Sequence, residues 1–229
     1  MSFARTLTIL ALLFLGACAT VPKAPLVFTP GAVANTLSAA VSLSVSSSGR
    51  NVSGNGFMVY RRPDQLHLVL LSPFGTTMLE AFAQGERITL IYPSQGVAFS
   101  GRYDELPDDS GMQGWRMMRW VMDADPSAQG GQSGTIERPA GQGVVERVTY
   151  ESGLITEKSN SAGERVFYRN YELANGVPYA SELEMLNAKG DRVRLRLEDA
   201  EINTALDGAA FTPRLEGLKL LPLSAMQRP

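Results

Sequence analysis

The chain has 229 residues, 19% charged and 44% hydrophobic, which excludes wholesale disorder and a collagen-like chain. Lysine and arginine number 21 against 23 for aspartate and glutamate, so there is no polybasic signature for nucleic acid. One cysteine cannot make an internal disulfide, and one histidine cannot build a multi-histidine metal site.

Arg5 is the only charge before Lys23, and Leu7, Ile9, Leu10, Leu12, Leu13 and Phe14 follow it. A basic start and a short apolar run read as an export signal over 1–17, too short for the ~20 residues of a membrane span. Next comes Leu15-Gly16-Ala17-Cys18, which resembles the bacterial lipobox. That resemblance implies a thiol carrying diacylglycerol, cleavage before Cys18 and an acylated new amino terminus; the alternative is a plain secretory signal with an incidental cysteine. Several acyl chains, each contributing about 0.8 kcal/mol per buried methylene, hold a protein stably on a bilayer. Ala19 follows where, in enterobacterial lipoproteins, Asp favours the inner membrane, so the resemblance points to the periplasmic leaflet of the outer membrane.

Residues 18–31 carry three prolines and no hydrophobic period, as expected of a lipidated tether. Weak helical character over 32–40 precedes the alternation Val41-Ser-Leu43-Ser-Val45. Gly49 to Gly56 reads as a turn, and Phe57 to Tyr60 as the next strand. Leu66, Leu68 and Leu70 share one face of another, with His67 on the opposite parity. Thr77 to Phe82, Arg87 to Tyr92 and Gly96 to Ser100 continue the series, the spacing of an antiparallel meander.

Asp108 to Met122, with Trp115, Met117, Met118, Trp120 and Val121, is the best helix candidate; Pro126 and a Gly/Ser/Gln-rich run end it. Strands resume at Val144 to Tyr150, Glu164 to Glu172 and Tyr179 to Leu186. Val193, Leu195 and Leu197 alternate with Arg192, Arg194 and Arg196, the clearest half-buried strand. Ala205 to Asp207 suggests a helical turn, and 218–229 a loose tail. The expected fold is mainly β (α+β): a curved antiparallel sheet, a half-barrel of about ten or eleven strands, covering one or more helices with an apolar cavity between. The expected boundaries are 32–215 for the domain and 216–229 for the C-terminal tail.

Together these pieces resemble the LolA/LolB-like lipoprotein-binding family, with the membrane-anchored LolB branch the nearer match. The lipobox at Cys18 carries part of the resemblance. So does the strand Leu66 to Leu71 running into Ser72-Pro73-Phe74-Gly75-Thr76-Thr77, similar to that family's polar-Pro-Leu-Gly-Ser-Thr turn. Met117-Met118-Arg119-Trp120-Val121 resembles a Leu-Arg-Gln-Trp-Ile stretch. Phe167 to Tyr171 followed by Pro178, and Arg192 to Leu197, match later strands. The ending, Ile202-Asn203-Thr204 and then Ala205 to Pro213, is closer to the soluble LolA branch.

The resemblance implies an apolar cavity that binds the acyl chains of other lipoproteins, received from a soluble LolA-like periplasmic carrier and placed in outer-membrane phospholipid. It implies no cofactor, no enzyme activity and a monomer. Phe74 matches a protruding Leu held important for insertion, although an aromatic after Pro can also fold back on its sheet. Leu66, Leu68, Leu70, Met117, Met118, Trp120 and Val121 are candidates to line the cavity, or equally a closed core. The physical demand is clear: carrying ~14 methylenes through water would cost roughly 11 kcal/mol. Methionines suit a pocket that closes when empty. The competing reading is a structural or assembly lipoprotein that docks another envelope protein. Asp104-Glu105, Asp108-Asp109 and Asp123/Asp125 lie in loops and read as solvated or capping groups.

Overall fold

A computed structural model describes residues 26–226, apart from 48–49, 107–114, 116, 119, 123–126, 129 and 141–143. Cys18, the signal, and the acidic pairs at 108–109 and 123/125 lie outside the described residues. The strands are Thr36–Ser47 (β1), Arg50–Arg61 (β2), Gln65–Leu71 (β3), Thr77–Gln84 (β4), Arg87–Tyr92 (β5), Val97–Arg102 (β6), Gly134–Pro139 (β7), Val145–Glu151 (β8), Leu154–Asn160 (β9), Arg165–Ala174 (β10), Val177–Leu186 (β11), Arg192–Ile202 (β12) and Lys219–Pro222 (β13).

They form one large, curved, open sheet in the order β13-β6-β5-β4-β3-β2-β1-β12-β11-β10-β9-β8-β7. Two meanders, β1 to β6 and β7 to β12, are zipped together where β1 pairs antiparallel with β12. Leu37, Ala39, Val41 and Leu43 of β1 alternate with half-buried residues, as Val193, Leu195 and Leu197 of β12 alternate with exposed arginines. One face of the sheet is therefore apolar along its length.

The sheet has thirteen strands among the described residues, more than the ten or eleven expected. β7 is exposed at every position, β9 is largely polar and β13 has only four residues, so none carries the alternation that marks a strand. The weak helical signal at 32–40 also loses: β1 begins at Thr36, because its alternate side chains are buried by β2 and β12. The turn expected at 49–56 is instead inside β2. Gly54 and Gly56 read as turn residues, but a Cβ on Gly56 would sit 1.7 Å from the Val69 carbonyl oxygen of β3. Here glycine permits close approach of two strands rather than a turn.

The row of strands makes the linker after β6 consequential. β6 lies near one edge of the sheet and β7 is the other edge, and the described residues between them show which face they lie against. Trp115, Met117, Met118, Trp120, Val121 and Met122 are helical. Trp115, Met117, Met118 and Val121 are buried in the same cluster as Leu43, Leu68, Leu90 and Leu195, so these helical residues lie against the apolar face.

The C-terminal segment straps the β6 edge. Leu215 and Leu218 pack on Phe82, Ile91 and Ala98 of the outer face, β13 pairs parallel with β6, and Leu223 is fully buried in the inner cluster. The segment beyond 218, read from sequence as loose, is fixed to 226 by this edge pairing and one apolar plug. The helical turn suggested at 205–207 falls instead at Gly208–Phe211, where the Asp207 carboxylate accepts from the Ala209 N–H at 2.9 Å.

Candidate functional site: an apolar lumen and a rim turn

Among the described residues, apolar cavities lie on either side of the helical residues. One, of about 220 Å³, is bordered by Val45, Val52, Leu70, Met78, Trp115 and Met118. The other, of about 70 Å³, is bordered by Leu37, Val121, Met122, Ile155, Tyr171 and Leu183. The first lies where β1 ends and β2 begins, the end that also carries the β3–β4 turn. The second lies at the opposite end, where β1 starts and β2 ends. Val52 remains 65% exposed although it faces the apolar side, so the larger cavity opens toward solvent.

Of the residues singled out in the sequence, Leu70 and Met118 border the larger cavity and Val121 the smaller. Leu66 borders a void of only about 10 Å³. Leu68 and Met117 are buried within the packed core, and Trp120 is half-buried against it. The sequence reading missed Val45, Val52, Met78, Tyr92, Trp115 and Val193. Parity would have found Val45 and Val193, which continue the alternation of Leu43 and Leu195 toward the open end.

The helical residues 120–122 are bonded to the sheet by side chains. The Lys158 ammonium of β9 donates to the Trp120 carbonyl at 2.6 Å, and the Tyr168 hydroxyl of β10 to the Val121 carbonyl at 3.0 Å. The Tyr60 hydroxyl lies 3.3 Å from the Met122 carbonyl and 3.1 Å from that of Pro63, and its one proton serves either. Lys158 is itself fully buried, paired with buried Glu146 at 2.9 Å, and sits 4.9 Å from the Trp120 ring centroid. Burial holds the Tyr168 hydroxyl well above the ordinary phenol range, so it stays a donor.

Phe74 is 93% exposed at the tip of the β3–β4 turn. The turn is built to present it. The Ser72 N–H donates to the Thr76 carbonyl at 2.8 Å, and the Gly75 N–H to the Ser72 carbonyl at 2.9 Å. The Ser72 hydroxyl accepts from the Phe74 and Thr76 N–H groups at 3.2 Å each. Gly75 takes φ +78°, which disfavours any side chain. Phe74 does not fold back onto the sheet.

The polar candidates have structural partners. The Arg102 side chain binds Asp104 at 3.1 Å, and Glu105 accepts from the Arg102 N–H at 3.3 Å. His67 stacks on Phe82 with centroids 3.9 Å apart and lies 3.4 Å from Glu80; burial lowers its pKa from 6.5. No group of three or more metal-ligating side chains occurs among the described residues. No described helix is long and apolar enough to cross a membrane.

The described residues thus form a curved sheet with apolar cavities on its inner face and an aromatic held out at one end. The chain belongs to the outer membrane lipoprotein LolB family, whose pattern matches residues 35–199. No curated protein matches the chain. Among solved structures it is similar to a DUF1329 family protein from Desulfovibrio piger, with 12% identity, TM-score 0.58, and coverage of 78% of this chain and 90% of that one. It is also similar to a LolA superfamily protein from Nitrosomonas europaea, with 11% identity, TM-score 0.50, and coverage of 78% and 90%. At such identities the likeness is one of fold.

Proposed function

We propose that the protein is anchored through Cys18 to the periplasmic leaflet of the outer membrane, takes acylated lipoproteins from a soluble LolA-like carrier into its lumen, and releases them into the bilayer beside Phe74. The observation that carries this reading is the shared end of the molecule: the mouth of the larger apolar cavity and the Phe74 turn lie together. An acyl chain leaving the mouth meets lipid where Phe74 enters it, and transfer of one Phe side chain from water contributes roughly 2–3 kcal/mol toward that docking.

At about 220 Å³ the cavity is smaller than the ~300–1,000 Å³ of ordinary ligand pockets. Uptake therefore displaces side chains, and Met78, Met118 and Met122, which border the two cavities, are the flexible ones. The helix between the cavities is the element that must give way for a long chain.

The tether sets the posture. The Gly31 N–H is bonded to the Ser127 hydroxyl at 3.0 Å, at the end of the molecule opposite Phe74. The thirteen peptide steps from Cys18 to Gly31 span at most ~45 Å, and the sheet along β1 is ~37 Å long. The anchor and Phe74 can therefore occupy one bilayer, with the tether running back along the domain. The test is uptake of a fluorescent fatty acid or acylated peptide by the purified chain. Uptake at micromolar ligand is expected; its absence at high micromolar ligand overturns the reading.

A further inference from the structure

The outer face carries a polar cleft that the lumen does not explain. It has a volume of about 440 Å³ and is bordered by Ser44, Asn55, Ser72, Arg194 and Arg196, with one carboxylate, Glu182, among them. These come from β1, β2, β11, β12 and the turn that holds Phe74, so its rim is continuous with that turn. The charge is unbalanced. Glu184 alone receives Arg169 at 2.6 Å, Arg192 at 2.9 Å and Arg194 at 3.3 Å. Arg196 stands opposite Glu182 in the β11–β12 register, and that carboxylate also accepts from the Asn170 amide at 2.8 Å. With Glu198, which follows Arg196 on the same exposed face of β12, four guanidinium groups face three carboxylates on this flank.

We infer that this cleft binds the phosphate of a membrane phospholipid head group. The inference rests on the membrane-facing role proposed above for Phe74. Guanidinium forks match phosphate oxygens, and the serine hydroxyls and the Asn55 amide supply neutral donors beside them. Position selects lipid as the source. With the Phe74 ring at acyl depth, the cleft flanking Ser72 and Pro73 lies at head-group level, where anionic lipids attract basic residues. The head-group site holds the domain on its flank while the lumen discharges, and it makes docking depend on the anionic lipid content of the membrane.

The test is co-sedimentation with vesicles of phosphatidylcholine, with and without phosphatidylglycerol. The protein is the chain from residue 18 onward carrying Cys18→Ala, so that no acyl anchor masks the contact. Arg194→Gln with Arg196→Gln should weaken binding to the phosphatidylglycerol vesicles by about fivefold for each arginine. Fatty-acid uptake should be unchanged, which separates this site from the lumen. Asn55→Glu, which adds a carboxylate at an exposed position bordering the cleft and not the lumen, should act in the same direction and serves if the arginine pair impairs folding. Equal vesicle binding by these variants and the parent overturns the inference. So does release from vesicles by inorganic phosphate at constant ionic strength, which would make this a site for the free ion. Loss of fatty-acid uptake in the parent would instead overturn the function proposed above.

Discussion

The ammonium of Lys158 lies 2.6 Å from the Trp120 carbonyl oxygen and 2.9 Å from Oε1 of Glu146. One buried cation thus joins the helix that splits the lumen to strands β8 and β9. Lys158→Ala leaves Glu146 buried beside Arg138 alone, 3.3 Å away, and should destabilise the fold by about 3–5 kcal/mol in urea unfolding. The double change Lys158→Met with Glu146→Leu should cost far less, since an apolar pair of similar volume replaces the ions. In that variant the helical residues keep the bond from Tyr168 to Val121 and lose the one from Lys158 to Trp120, so fatty-acid uptake should be faster. Unchanged uptake kinetics would show that this bond does not restrain the helix.

Phe74 is almost wholly in solvent, so replacing it should leave the fold within ~0.5 kcal/mol. Phe74→Glu should retain fatty-acid uptake and lose most transfer of an acylated peptide to vesicles, whereas Phe74→Leu should retain both. Equal transfer by Phe74→Glu would remove the turn from the mechanism.

The tether makes a length prediction. Deleting five residues between Cys18 and Thr29 cuts its reach to ~28 Å, shorter than the sheet along β1. The anchored protein should then fail to transfer cargo while its lumen still binds it. Restoring the length with Gly/Ser residues should restore transfer, which separates reach from sequence. Transfer by the shortened protein at the parent rate would mean that the mouth need not face the membrane holding the anchor.

Alkaline pH should unfold the protein through its buried phenols. Burial raises the Tyr168 and Tyr171 pKa values above the ordinary 10.0. The unfolded chain releases these protons first, so stability is intact below about pH 10 and falls as pH rises above it. Each phenol contributes about 1.4 kcal/mol per pH unit until its folded pKa is reached. Urea midpoints measured between pH 9 and 12 should show this slope, and Tyr168→Phe should reduce it. A flat profile would indicate that the hydroxyls reach water.

Gly56→Ala probes the close approach of β2 and β3. With the new methyl 1.7 Å from the Val69 carbonyl oxygen, the strands must separate. A loss of ~3 kcal/mol is expected, at the upper end for single changes. A change under ~0.5 kcal/mol would show that the sheet relaxes freely there.

The sequence by itself determined what local pattern can carry. Val193, Leu195 and Leu197 against Arg192, Arg194 and Arg196 announced β12, because a period of two survives any tertiary context that buries one face. Ser72-Pro73-Phe74-Gly75 announced its turn, because proline, a serine hydroxyl and a left-handed glycine act within a few residues. The family pattern spread over 35–199 was legible for the same reason.

Only the tertiary structure decided the rest. Gly54 and Gly56 look like a turn until β3 is placed against them. β7 and β9 have too little apolar character to declare themselves and exist through their neighbours' hydrogen bonds. Nothing local in the sequence marks Lys158 as buried, yet it lies fully buried, paired with Glu146 and bonded to Trp120. Whether Met117 or Met118 lines a cavity turns on one helical step, and both carry the same apolar signal. Such contacts join residues far apart along the chain, and chain closure rather than local propensity sets their geometry.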